Sequence, residues 1–372
     1  MKKILVIVIS VLLISVALLG CAGQTEESQG ASDVPEATED DTAQPDDGDV
    51  ATDSEGDTAQ PIDDDGFVLA DHIQKKVENG EPLEIVAVHH DIALTFTQVI
   101  ASGVSAAGED LGIKAELTGT NVAHDVQGMV AMIEDLIVKE VDGIMVSNVN
   151  GEALNPVIDK AIAAGIPTIT FGTNSPGSKS FAHIGQDTYL SGYTLGEVMA
   201  EYLGEEGKIL INTCSVSAQW SVDRETGLRD AIANYPNMEI VGIIDTGTDD
   251  QGVYSSIENG LRANPDLAGI ATLCAVTTPV AGRVITDIGK ADAIVHVGND
   301  LDPLTLENIK SGATEASLSQ DPYRQGYDGV MLLYNFIMNN VTPESVDTGV
   351  LRVDETNVDE FLKKLDDGEP IG

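Results

Sequence analysis

Cysteine, aromatic residues and positive charge are all scarce in this 372-residue chain, and each shortage excludes something. Three cysteines are too few for a disulfide-built scaffold, and no Cys or His spacing matches a metal centre, so no metal site is expected. Only 19 Lys and Arg stand against 62 Asp and Glu, a formal net charge of −43, which repels phosphate backbones and excludes nucleic acid as a partner. Catalytic signatures are missing too. There is no GxSxG elbow, no GxxxxGKS/T loop and no GxGxxG after the first apolar strand. The six His are spread along the chain with no cluster expected, so neither an enzyme nor a cofactor is anticipated. Aromatics make up 4% of the chain, with Trp220 the single tryptophan, which makes its position informative.

The first 21 residues are unlike the rest. Lys2 and Lys3 precede an apolar run over 4–19, interrupted only by Ser10 and Ser15, the length of a signal-peptide core. Leu18-Leu19-Gly20-Cys21 resembles the bacterial lipobox, and no basic stop-transfer cluster follows. That resemblance implies lipidation at Cys21, a membrane association through acyl chains and an extracytoplasmic location. Residues 22–66 hold 16 Asp and Glu and no Lys or Arg, with almost nothing large and apolar, so a disordered, self-repelling tether is expected. The acidic run Asp63-Asp64-Asp65 lacks the alternating spacing of a calcium loop.

From residue 83 the texture changes. Short apolar runs at 83–89, 113–118, 142–147, 167–171, 181–184, 208–214, 238–244, 268–273 and 293–297 read as strands. Amphipathic stretches at 95–111, 124–139, 153–164, 190–203, 223–234, 251–263, 278–289, 303–311 and 322–339 read as helices. Strict alternation demands right-handed crossovers and parallel sheets, an α/β architecture. The pattern falls into two halves, the second starting near Lys208, so two Rossmann-like lobes are expected with a ligand site where their strand carboxyl ends face each other. Cys214 and Cys274 each end an apolar run, the usual setting of a buried free thiol, although outside the cell they could also pair.

Several segments carry a family resemblance. HDVQGMVAMIEDLIVKEVDGIMVSNVNGEALNPVIDKAIAAGIP (124–167), IGQDTYLSG (184–192), DRETGLRDAI (223–232), LRANPDLAGI (261–270), VGNDLDP (297–303) and SQDPYRQGY (319–327) are similar, in order and spacing, to the type I periplasmic binding proteins of sugar importers. The likeness spans roughly residues 82–365. It implies two lobes, 82–186 plus 321–347 and 187–320 plus 348–372, joined by a three-segment hinge near Gln186-Asp187, Gln320-Asp321 and 345–350. It also implies a monomer that closes on a small sugar or polyol and docks on the permease of an ABC transporter. The alternative partner is a membrane receptor that reads the closed complex as a signal.

Sugar recognition needs planar hydrogen-bonding groups and stacking rings, so the Asp, Arg, Asn, Gln and aromatic residues near strand ends are the candidates. His90 and Asp91 follow the first strand, and the resemblance places a stacking ring at Phe96. Asn174 follows Gly172-Thr173, where sugar binders often carry an acid or amide followed by Arg; it could reach in instead or simply shape the turn. In the second half the resemblance assigns Arg224, Asp300 and Gln320 to ligand hydroxyls, with Gln186 at another crossing. Trp220, expected in the loop before Arg224, would be a second stacking plate. At Cys274 the family often has an amide, so a less polar ligand edge is expected there.

Overall fold

The computed structural model describes residues 66–371. The lipobox at Cys21 and, apart from Gly66, the acidic tether lie outside the described residues. The first half runs α1 (Asp71–Asn79), β1 (Glu84–His89), α2 (Thr95–Leu111), β2 (Lys114–Gly119), α3 (Val126–Val138), β3 (Gly143–Val146), α4 (Gly151–Ala163), β4 (Thr168–Phe171) and β5 (His183–Gly185). The second runs α5 (Thr188–Leu203), β6 (Glu206–Thr213), α6 (Gln219–Ile232), β7 (Asn237–Asp245), α7 (Asp250–Ala263), β8 (Leu267–Thr272), α8 (Thr277–Asp287), β9 (Val295–Asn299), α9 (Pro303–Ser311) and β10 (Ala316–Ser319). The chain then closes with α10 (Pro322–Asn339), β11 (Val346–Asp347), β12 (Leu351–Asp354) and α11 (Val358–Asp366).

Two six-stranded sheets result, in the orders β11-β5-β4-β3-β1-β2 and β12-β10-β9-β8-β6-β7. All pairings are parallel except β12 against β10. The apolar runs explain the layering. Ile85, Val86, Ala87 and Val88 in β1 are each at most 1% exposed, because helices cover both faces of the sheet. Burying each large aliphatic side chain contributes roughly 1.5–3 kcal/mol. The chain passes between the sheets three times: from β5 to α5, from β10 to α10, and from β11 to β12. α10 returns to the first sheet, where Val330 and Leu333 pack with Ile85, Ile100 and Phe171.

Two crossings share a sequence device. Gln186-Asp187 and Gln320-Asp321 each place a carboxylate at a helix N-cap: Asp187 accepts from the Leu190 amide and Asp321 from the Arg324 amide. The cap fixes where the helix begins and leaves the preceding glutamine at the strand end. Asp125, Asp249 and Asp302 cap α3, α7 and α9 in the same way, so part of the acidic excess is spent at helix starts.

The structure corrects several expectations. The first lobe starts before residue 82: Phe67 packs on Phe181 and Phe336, and Ile73 of α1 is fully buried beside Leu83 and Ile337. α6 starts at Gln219, so Trp220 sits on its first turn and not in a preceding loop. No side chain caps this helix, and burial of Trp220 holds the turn that capping chemistry did not announce.

Candidate functional site

The two rims of strand carboxyl ends enclose one cavity of about 610 Å³, its open mouth included. Seven of the nine expected residues line it: His90, Asp91 and Phe96 from the first lobe, Trp220, Arg224 and Asp300 from the second, and Gln320 at a crossing. Gln186 and Asn174 do not.

The second-lobe wall is a hydrogen-bonded array around Arg224, itself 3% exposed. Its Nη1 donates to the Leu273 carbonyl at 2.8 Å and lies 3.7 Å from Asp300 Oδ2, while Nη2 donates to Gln186 Oε1 at 3.2 Å. The guanidinium also sits 5.8 Å from the centre of the Trp220 ring. Its Nε is buried with no protein partner, a donor left for something else to satisfy. Asp300 Oδ1 accepts from Gln320 Nε2 at 2.5 Å, and Gln320 Oε1 accepts from Gln325 Nε2 at 3.0 Å. Asp300 adopts a left-handed backbone, φ 71°, directly after β9, which turns its carboxylate off the strand end.

Helix packing positions Arg224. A Cβ on Gly192 of α5 would stand 2.0 Å from the Arg224 carbonyl oxygen, so only glycine lets α5 and α6 approach this closely. The first lobe repeats the arrangement with α2 and α10, where a Cβ on Gly103 would stand 2.2 Å from the Tyr323 carbonyl oxygen.

Gln186 acts behind the wall. Its Nε2 donates to the Ser319 carbonyl at 3.2 Å and the Gly349 carbonyl at 3.1 Å, so one amide ties all three crossings together while its oxygen holds Arg224. Asn174 turns away for a local reason: its side-chain oxygen accepts from the adjacent Ser175 amide at 2.7 Å. Thr173, buried at the rim, lines the cavity in its place.

On the first lobe Asp91 closes a short turn by accepting from the Ala93 amide at 2.9 Å, and His90 Nδ1 lies 3.2 Å from Ser147 Oγ. The expectation that the histidines do not cluster is wrong. His89 stacks on His90 at 4.1 Å, His90 on His124 at 5.0 Å, and His124 on Trp220 of the other lobe at 6.3 Å. These four rings form a wall that crosses the cleft. Burial brings His89 down to about 4 and holds His90 well below the ordinary imidazole value, with the neighbouring rings pushing His90 the same way. Burial also lowers His124, against the pull of Asp91 and Asp245. The rings are therefore neutral near pH 7, each with one donor and one acceptor nitrogen. His124 Nε2 is buried and unpartnered.

Sequence reasoning missed His124, Ser147, Thr188 and Thr248, all of which line the cavity. His124 precedes the Asp125 cap of α3, beyond the carboxyl end of β2, so the strand-end rule applied elsewhere reaches it as well. The floor includes Cys214, Cys274 and Val276, apolar or weakly polar groups. Among the described residues no cluster of His, Cys, Asp or Glu is arranged to hold a metal ion. The site thus offers two carboxylates, one guanidinium, an amide, neutral imidazoles and flat aromatic faces. That set suits a neutral solute with hydroxyls on its edges and apolar C–H faces.

Comparison with known proteins agrees with this architecture. A family model described as a periplasmic binding protein domain matches residues 85–340, and the chain belongs to that family, in its type I two-lobe form. The xylose/arabinose-binding protein XylF of Sulfolobus acidocaldarius is 24% identical over 296 residues, 75% of this chain and 73% of its own. A solute-binding protein from Burkholderia graminis, solved in complex with D-arabinose, is 27% identical over 74% of this chain and 96% of that one, with a TM-score of 0.70. GanP, a glucose-galactose binding protein from Geobacillus stearothermophilus, is 22% identical over 74% and 99% of the two chains, with a TM-score of 0.70. These relatives are binding proteins and not enzymes, and this chain is of the same kind.

Proposed function

We propose that this protein captures a small sugar or polyol between its two lobes and delivers it to the permease of an ABC importer. The observation that carries the reading is the Arg224–Asp300–Gln320 array facing His90, Asp91 and Phe96 across one cleft, with Trp220 closing the side. A carboxylate and a guanidinium held side by side accept from and donate to vicinal hydroxyls, and Phe96 and Trp220 cover apolar C–H faces. His124 Nε2 and Arg224 Nε, both buried and unpartnered, are further positions a hydroxyl would satisfy. The relatives named for xylose, arabinose, glucose and galactose support the sugar class. Pentoses come first, because the weakly polar floor at Cys214, Cys274 and Val276 offers little to an additional hydroxymethyl group.

A ligand touching both lobes favours the closed state, since only that state offers both sets of contacts. The protein works as a monomer, tethered outside the cytoplasm by acyl chains on Cys21 through the acidic segment 22–66. Replacement of Cys21→Ser should abolish incorporation of labelled palmitate. Isothermal titration of the protein with D-xylose, D-arabinose, D-ribose and xylitol tests the ligand class. One or more should bind at one site per chain with Kd in the micromolar range or tighter, about −8 kcal/mol or more favourable. Absence of binding heat from all four at millimolar concentration, over a range of temperatures, would refute the reading.

A further inference from the structure

The cavity floor holds two thiols that sugar recognition does not require. Cys214 lies just beyond β6 and Cys274 just beyond β8, two neighbouring parallel strands whose last paired residues are Asn212 and Thr272. Two residues past that pair on each strand stand Cys214 and Cys274, side by side by register. Adjacent strands run about 4.7–4.9 Å apart, inside the span of about 4.4–6.8 Å between Cα atoms that a disulfide bridges. Here the two Sγ atoms approach to 2.6 Å, both side chains are buried, and both border the cavity.

We propose that Cys214 and Cys274 close into a disulfide on the floor of the cleft by thiol–disulfide exchange with an external disulfide, either of a protein oxidoreductase or of a small molecule. Cys274 is the attacking group. Burial alone would raise its pKa, but the contacts with the Cys214 sulfur and the Thr277 hydroxyl and the amides of Val276 and Thr277 at the start of α8 outweigh burial and bring it down to about 7. Cys214 is pushed up by its contact with Cys274 and by burial. The Cys274 thiolate attacks one sulfur of the external disulfide and expels its other sulfur as a thiolate. Cys214, giving up its proton to solvent, then attacks the Cys274 sulfur of the mixed disulfide and expels the second thiolate. The protein loses two hydrogens and two electrons, and the external disulfide gains them as two thiols.

The bond would join the loop after β6, which leads into Trp220 and Arg224 on α6, to the loop before α8. Residues 60 apart in sequence would be linked, and one wall of the cleft would become a covalent unit. The floor would also lose its S–H donors, so its redox state would alter what the cavity can hydrogen-bond.

The test needs no knowledge of the solute or of the compartment. The full chain is incubated with oxidised glutathione at neutral pH, its remaining thiols are alkylated, and tryptic peptides are read by mass spectrometry without reduction. The expected product is peptide 209–224 linked to peptide 263–283, lighter than the sum of the two by two hydrogens. Cys214→Ser should leave an unresolved glutathione adduct on Cys274, and Cys274→Ser an unresolved adduct on Cys214. Both peptides recovered alkylated and unlinked, or a wild-type glutathione adduct that never resolves, would overturn the proposal.

Discussion

At the scale of the residue, the site depends on groups held by one another before any solute arrives. Arg224 is fixed by the Leu273 carbonyl, Gln186 and Asp300, so on the proposed function a ligand hydroxyl would meet a guanidinium already oriented. Removing it leaves Asp300 as a buried carboxylate with Gln320 as its remaining side-chain partner. Arg224→Ala should therefore weaken pentose binding by about 2–4 kcal/mol, roughly 30-fold to 1,000-fold, by calorimetry. Asp300→Asn keeps the shape and one acceptor, and should cost about 1.5–3 kcal/mol, read the same way. Gln186→Leu touches no cavity surface but releases Arg224 and the Ser319 and Gly349 carbonyls, so it too should weaken binding. Asp300 and Gln320 follow strand ends and Arg224 lies on α6; the family resemblance singled out all three, and the structure brings them to one cavity. Of the two roles open to Asn174, contact or turn, the structure shows the turn, because a short polar side chain can satisfy its own loop and sequence does not say which way it points.

At the scale of the element, the apolar runs and helical periods foretold most strands and helices, because both sheets are buried on both faces. Pieces with a weaker apolar signal escaped. β10 is Ala-Ser-Leu-Ser, a buried strand with two hydroxyl side chains, and α1 has Ile73 as its only buried residue. α11 was missed although it is amphipathic, with Val358 and Phe361 buried and Leu362 and Leu365 packed beside them. The glycine contacts between helices were not legible either, because a close approach is a property of two elements together. Gly192→Ala should force α5 and α6 apart, at a cost of about 1–3 kcal/mol of stability. Because the strained contact is the Arg224 carbonyl, the same change should also weaken binding, whereas an alanine at Gly103, between α2 and α10, should destabilise with a smaller effect on affinity. Denaturant titration and calorimetry on the two variants would separate these outcomes.

At the scale of the whole molecule, acid should unfold the protein through its buried histidines. Burial brings His89 and His183 down to about 4 and His296 to about 3, against 6.5 when exposed. Between these values the unfolded chain takes up protons that the native chain refuses. The stability these residues contribute is complete above about pH 6.5 and is lost as pH falls toward 4. With His90, which burial also holds well below 6.5, four such groups give a slope of up to about 5 kcal/mol per pH unit. Urea midpoints measured from pH 7.5 to 4.5 should fall along that slope, and a flat profile would mean that these rings are protonated in the native state.

Closure of two lobes on a solute is the central claim, and the chain carries its own reporter. Trp220 is the single tryptophan, borders the cavity and stacks toward His124 of the opposite lobe. Titration of its fluorescence with D-arabinose, D-xylose and D-ribose is the most direct measurement. At least one pentose should shift the emission along a saturating one-site curve, and Arg224→Ala should abolish the shift at the same concentrations. A Trp220 spectrum that stays unchanged with all three sugars at millimolar concentration would contradict the account.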